Sequence, residues 1–370
     1  MDLQALIANI TALRADVDSL RTAQEATASA ADVSWVMLTS LTVFLMQCGF
    51  GMLEAGAVRA KNTRNILMKN LLDTSCGCLA FWLFGWSVAF ARGNPVIGIP
   101  APYGVFDLPG EWFHHYVYAA ASATIVSGAI AERTQTMAYV YFSFATTGFI
   151  YPVVVHWAWS EDGFLSTSNP DAVAGGLLDL AGSGVVHLTG GVLALVAAAI
   201  IGPRRGRFNE VTGLPVPMPG HSSVLMALGC FTLWFGWLGF NMGSITSIRA
   251  DPGAAPRVAV ATLVSGAAGG MTETFLNLRL GTRSWSVERS INGILAGLVS
   301  ITASCSVVHS WAALLIGCCG GCIYHGASAA VLYWLKVDDV LDAFAVRPPA
   351  RPRLPSSAHA RGLTLTRRPF

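Results

Sequence analysis

Residues 184–202 read GVVHLTGGVLALVAAAIIG, an uninterrupted run without Asp, Glu, Lys or Arg. A helix needs roughly 20 apolar residues to cross the hydrocarbon core of a bilayer, so this run predicts a membrane span. Eight further runs are predominantly apolar, at about 34–57, 71–91, 116–131, 136–158, 223–247, 258–278, 290–308 and 311–335. Together they predict an all-α integral membrane protein, a polytopic bundle of about nine transmembrane helices.

The composition agrees with a lipid environment. Of the 370 residues, 53% are hydrophobic and 12% are charged, and the mean hydropathy is +0.54. Soluble domains carry about 25% charged residues, roughly twice as many. The net charge of +2 gives no electrostatic argument for a nucleic-acid partner. The eight cysteines lie mostly in apolar runs, which favours buried small side chains over a disulfide framework.

The distribution of basic residues predicts the orientation in the membrane, because cytoplasmic loops are enriched in Lys and Arg. With the N-terminus outside, only three basic residues fall in outer loops: Arg92, Arg249 and Arg257. The inner loops then hold Arg59, Lys61, Arg64, Lys69, Arg133, Arg204, Arg205, Arg207, Arg279, Arg283, Arg289 and Lys336. We therefore expect an outside N-terminus. As a separate expectation, the membrane is the plasma membrane, although a bacterial inner membrane protein would show the same pattern.

Composition also divides the chain into three parts. In residues 1–32, apolar residues recur every three or four positions from Leu3 to Leu20, which predicts an amphipathic N-terminal extension. That helix either self-associates, lies on a surface or is a solvated extension. Residues 33–346 form the membrane domain. Residues 347–370 are rich in Pro, Arg and Ser and are expected to be a disordered cytoplasmic tail.

Polar residues inside spans are costly in lipid, and the fifth span contains two. Asp179 lies at its outer end, and His187 follows eight residues later, on nearly the same side of a helix. A carboxylate at the mouth and an imidazole in the wall suit a small cation or a protonatable amine. Alternatively, Asp179 caps the helix and His187 bonds a neighbouring carbonyl.

Aromatic residues form the next pattern. Trp157 and Trp159 end the fourth span, where interfacial tryptophans are common, but they also suit cation–π binding of an entering cation. Trp237, Phe240 and Ser244 follow helical spacing in the sixth span, as residues of a packed core do. The residue patterns alone leave these alternatives open.

Motifs for catalysis or for metal binding are weak. Cys318, Cys319, Cys322 and His325 lie among small residues in one span, and no second ligand pair with zinc-site spacing accompanies them. No phosphate-binding loop or nucleophile elbow is found. We expect no metal, no cofactor and no enzymatic activity.

Five motifs in order resemble the ammonium transporter (Amt/Mep/Rh) family, over about residues 32–346. They are Gln47–Asn62, Ser127–Arg133, Asp179–His187, Gly236–Ser244 and Val337–Val346. The resemblance implies an inverted-repeat helical fold. It also implies transport of ammonium or ammonia through a hydrophobic pore in each protomer of a homotrimer.

The resemblance also implies roles for individual residues. Trp159 and Ser244 match the outer recruitment site for ammonium, and Asp179 matches the acidic residue that supports it. Tyr118 and Phe240 match the two gate aromatics, with Tyr118 at a position where the family has Phe. His187 matches the first pore histidine, and Trp237 matches a pore-lining tryptophan.

One motif departs from the family. Where the family has its second pore histidine, directly after Val346, this chain has Arg347, and prolines follow. The resemblance therefore implies a C-terminally truncated form, lacking the last two helices, in which transport is impaired. Two alternatives remain: a non-transporting ammonium sensor or regulatory subunit, and a related gas channel.

Overall fold

The computed structural model describes residues 3–99 and 109–344. Nine long helical segments run through them: α1 (Leu3–Ala57), α2 (Ala60–Phe90), α3 (Pro109–Ala129), α4 (Thr136–Trp159), α5 (Ser183–Ile201), α6 (Ser223–Gly243), α7 (Ala254–Leu280), α8 (Val287–Thr302) and α9 (Ser310–Trp334). A short antiparallel hairpin, β1 (Gly93–Asn94) and β2 (Ile97–Gly98), follows α2. Each helical segment corresponds to one predicted span, so the polytopic helical bundle is confirmed.

Six of the described helices are long and apolar enough to cross a membrane by length and composition: α1, α2, α4, α5, α6 and α9. Among the others, α8 has 16 residues and α7 contains Glu273. The Glu273 carboxylate is buried and accepts bonds from Arg289 (2.6 Å) and the His325 Nδ1 (2.8 Å). Buried pairing of this kind lets a polar helix stay inside a bundle.

Two boundaries differ from the sequence predictions. Helix α1 continues unbroken across the predicted boundary at residues 32 and 33, so the N-terminal extension and the first span form one helix. Helix α3 begins at Pro109, seven residues before the predicted start of the third span. The predicted tail, 347–370, lies outside the described residues.

Glycines allow the helices to pack closely. Helix α1 packs along α6, where Gly229 faces the backbone of Gly49 and Leu53. Helix α7 packs against α8 and α9, and Gly269 faces the backbone of Gly293. A side chain at these positions would collide with the neighbouring backbone, so small residues are required for these approaches.

Charged residues tie the ends of several helices together on the predicted inner face. The Asp338 carboxylate pairs with Arg204 (2.8 Å) and Arg207 (3.0 Å). The Glu132 carboxylate pairs with Arg59 (2.8 Å) and Arg204 (3.3 Å). Burial by itself raises the pKa of each carboxyl group, but hydrogen bonds and charge from the arginines outweigh it and lower both pKa values to about 2. This cluster fixes the segment after α9 against the turn between α3 and α4.

Candidate functional site

The site is built around the entrance to α5. The buried Asp179 carboxylate accepts four backbone hydrogen bonds, from the amides of Gly182 (2.9 Å), Ser183 (2.8 Å), Gly184 (2.8 Å) and Val185 (3.0 Å). These are the first amides of the helix, which have no intrahelical acceptors. Gly182 adopts φ +99°, a conformation that glycine tolerates and side-chain residues rarely adopt. The carboxylate therefore fixes the start of α5.

The first turns of α5 are π-helical from Ser183 to Leu188, and they carry His187. Such wide turns occur frequently at functional sites. The His187 ring stacks nearly parallel on the Trp237 indole, with ring centroids 4.7 Å apart, and its centroid lies 5.3 Å from that of Phe240. The Trp237 Nε1 donates to the Thr302 Oγ1 at 2.9 Å, which fixes the indole from α8.

Trp159, at the end of α4, is tied to the same entrance. Its Nε1 donates to the backbone carbonyl of Asp179 at 2.8 Å. Its ring lies nearly perpendicular to that of Tyr118, with centroids 6.2 Å apart. The indole thus lies beside both the helix start and the next aromatic ring.

Tyr118 from α3 and Phe240 from α6 are both buried, with ring centroids 4.2 Å apart. The Tyr118 hydroxyl donates to the Phe240 carbonyl oxygen at 2.7 Å and lies 3.0 Å from the Ser244 Oγ. The Ser244 hydroxyl donates to the same carbonyl at 3.0 Å. Either hydroxyl can also donate to the other, but each oxygen has one proton and two lone pairs, so the pair keeps lone pairs that can accept hydrogen bonds.

These rings form a continuous series from Trp159 through Tyr118 and Phe240 to His187 and Trp237. Beyond His187 lies a cavity of about 370 Å³, lined mainly by apolar groups such as Phe50, Leu188 and Val299. Within the described residues, the His187 Nε2 is buried without a hydrogen-bond partner. All seven predicted site residues thus come together. Asp179 takes part by holding the start of α5, since each of its carboxylate oxygens accepts hydrogen bonds from two backbone amides.

Sequence reasoning considered His114 and His115 only as a weak metal-site pair and did not place them beside the ring series. His114 lies one helical turn before Tyr118 on α3, with ring centroids 4.8 Å apart, and its Nδ1 is 3.1 Å from the Ser40 Oγ. His115 lies 6.1 Å from Trp159 by ring centroids. The four-residue interval between His114 and Tyr118 was the available signal, because residues at that spacing share a helix face.

Comparisons with known proteins agree with this arrangement. The model of the Ammonium Transporter Family matches residues 34–347. Ammonium transporter 3 of Dictyostelium discoideum is 41% identical over 323 residues, covering 85% of this chain and 72% of the relative. Ammonium transporter 1 member 3 of Solanum lycopersicum is 43% identical over 325 residues, covering 84% of this chain and 70% of the relative.

Solved structures show the same fold. A protein described as a sensor Amt protein superposes with a TM-score of 0.77 at 32% identity, covering 85% of this chain and 78% of its own. Mep2 of Saccharomyces cerevisiae superposes with a TM-score of 0.73 at 28% identity, covering 86% and 71%. Sequence match, fold and ring series lead to one conclusion: this chain belongs to the ammonium transporter family.

Proposed function

We propose that this membrane protein transports ammonium along the ring series that begins at Trp159 and reaches the cavity beyond His187. The observation that carries the proposal is the continuous contact of Trp159, Tyr118, Phe240 and His187, residues from four different helices. Aromatic residues that served only to pack a core would not require hydroxyl acceptors at one end of the series. They would also not require a buried imidazole nitrogen without a described partner at the other end.

Recruitment takes place at the outer end of the series. The face of the Trp159 indole attracts a cation by about 2 kcal/mol where water is excluded. Ammonium has only N–H donors, so it complements the hydroxyl oxygens of Ser244 and Tyr118, which offer lone pairs. Sodium gains no such directed donor bonds and costs more to dehydrate, so this end selects ammonium.

Passage through the gate follows from the burial of Tyr118 and Phe240. Their rings are 1% and 0% exposed, so a hydrated ion cannot pass without their displacement. A charge in an apolar channel is expensive, whereas neutral ammonia is not. Ammonium transfers one N–H proton to the His187 Nε2, which has no partner among the described residues; this leaves the proton on the imidazole and lets neutral ammonia enter the cavity beyond.

We assign supporting roles to Asp179 and Trp237. Asp179 sets the start of α5 and so the position of His187, while Trp237 holds the imidazole in plane by stacking. We further propose that the protein assembles as a homotrimer in the plasma membrane with its N-terminus outside. The excess of basic residues in the predicted inner loops supports that orientation.

The test is uptake of labelled methylammonium in cells that lack their own ammonium transporters. The chain should raise uptake above the empty vector, and Trp159→Ala should raise the half-saturating concentration about thirtyfold, the equivalent of about 2 kcal/mol. Trp311→Ala is the matched control, because that indole is 68% exposed on α9. Membrane-inserted protein without uptake, or equal effects of both substitutions, would contradict the proposal. A non-transporting sensor would bind ammonium without flux.

Arg347 stands where the resemblance puts a second pore histidine, outside the described residues. A guanidinium stays protonated at neutral pH and cannot relay a proton as imidazole does. We therefore propose that this chain carries less flux per protein than a version in which residues 347–370 are replaced by the matching part of a relative. Equal growth of both on low ammonium would refute this.

A further inference from the structure

The N-terminal part of α1 extends beyond the first predicted span and is largely exposed. Residues 3–32 continue the first span without a break, over roughly 45 Å at 1.5 Å per residue. Nearly all of their described side chains are exposed, so residues 33–99 and 109–344 do not cover them. Most helical stability comes from packing of an apolar face, which this segment does not obtain from that described part of the bundle.

The exposed apolar residues follow a heptad repeat. Counting Leu3 as position a, the a positions are Leu3, Ile10 and Val17, and the d positions are Leu6, Leu13 and Leu20. Two of these, Leu13 and Leu20, are 63% and 68% exposed. The next a and d positions are Gln24 and Thr27, so the apolar seam ends after three heptads. Ile or Val at a with Leu at d is the pattern of parallel coiled coils.

The apolar seam is poorly suited to lie on a bilayer surface. A helix that continues straight out of a span cannot lie flat on the same membrane without a kink, and α1 has none. Surface-lying helices are also rich in basic residues on the polar face. Here Arg14 and Arg21 are outnumbered by Asp16, Asp18 and Glu25.

The charges flanking the seam select a partner and a direction. Asp16 occupies a g position and Arg21 the following e position, the pair that meets between neighbouring chains in a parallel coiled coil. Among the described residues, neither side chain makes an ion pair within its own chain. An antiparallel arrangement would not bring Asp16 to Arg21, because there g faces g and e faces e. Copies inserted in one membrane with the same orientation present their α1 helices in parallel.

We propose that residues 3–23 of α1 form a parallel coiled coil with the same segment of another copy of this chain. The contact lies outside the membrane domain and joins protomers through side chains that the transport path does not use. It does not rest on transport activity. Asp16 of one chain meets Arg21 of its neighbour in a two-stranded and in a three-stranded parallel coiled coil, so the proposal holds for either number of chains.

The test is disulfide cross-linking of the full chain in membranes. Leu6→Cys and Leu20→Cys place thiols at two d positions, and Ser19→Cys places one at the outward c position as the matched control. All eight native cysteines lie at residue 48 or later, so the unsubstituted chain supplies the background. Cβ atoms of bridged cysteines must approach within about 4.5 Å, so both d variants should give about fivefold more covalent dimer than Ser19→Cys.

A charge exchange tests the register. In the Leu20→Cys background, Asp16→Arg should lower dimer yield at least about threefold, since like charges then face each other across the seam. Adding Arg21→Asp should restore it. Within a single helix the exchange would add repulsion, because Asp18 would lie three residues from the new aspartate at position 21. A restored dimer yield would therefore reflect pairing between chains. Equal cross-linking at positions 6, 19 and 20, cross-linking at only one d position, or failure of the exchange to restore yield would each overturn the proposal.

Discussion

Replacing Asp179 with asparagine tests the central structural element of the site. The substitution keeps the size of the side chain but removes its charge and turns one acceptor oxygen into an NH₂ donor. In the native chain, one oxygen accepts from Gly182 and Ser183 and the other from Gly184 and Val185. The carboxamide of the variant can therefore satisfy one pair of amides, and its NH₂ group faces the other pair.

The magnitude follows from the two amides left without an acceptor. An unsatisfied buried donor costs about 1–3 kcal/mol, so the pair costs about 2–6 kcal/mol. At about 2 °C per kcal/mol for a chain of this size, the unfolding midpoint should fall by about 4–12 °C. Because the same amides start the π-helical turns that carry His187, transport should fall as well.

The assay is thermal unfolding of the purified protein in detergent, with methylammonium uptake measured in parallel. Asp171→Asn is the matched control, since it removes the same charge at an exposed position of the preceding loop. Exposed substitutions of this type change stability by no more than about 0.5 kcal/mol. If Asp179→Asn unfolds at the same temperature as Asp171→Asn, the capping role is wrong. Unchanged stability with lost transport would instead indicate direct contact of the carboxylate with ammonium.

Three other predictions concern the gate and the inner ion cluster. Tyr118→Phe should cost about 1 kcal/mol of stability and keep transport at a higher half-saturating concentration, because Ser244 still bonds the Phe240 carbonyl and still offers one hydroxyl acceptor; loss of all uptake would contradict this. Asp338→Asn leaves Arg204 buried with weakened compensation and should destabilise by about 3–5 kcal/mol, whereas the exposed Asp251→Asn should leave the unfolding midpoint nearly unchanged; equal midpoints in thermal unfolding would refute the difference. The pKa values of Glu132 and Asp338 are held at about 2, below ordinary carboxyl values, so their contribution is present above about pH 4 and is lost as pH falls from about 4 to about 2. A melting midpoint that stays constant over that window would contradict the cluster's role.

The sequence identified the residues of the candidate site, but it did not identify the contacts that these residues make. The resemblance supplied all seven residues, and the structure brings all seven together. What it left open was how they act. For Asp179, capping and cation binding were both compatible with the spacing to His187, and only the structure shows that four backbone amides donate to its carboxylate. For Tyr118, the added hydroxyl had no assignable partner until its bond to the Phe240 carbonyl was seen.

The sequence alone determined the helical segments and the family, because hydrophobicity over about 20 residues and short ordered motifs are local properties of the chain. The tertiary structure decided which side chains meet. Tyr118 and Phe240 are 122 residues apart, and Arg204 and Asp338 are 134 apart. Their pairing depends on how each helix is rotated and how deeply it lies in the bundle. Those quantities are set by packing of glycine-lined surfaces between distant segments, which no local pattern records.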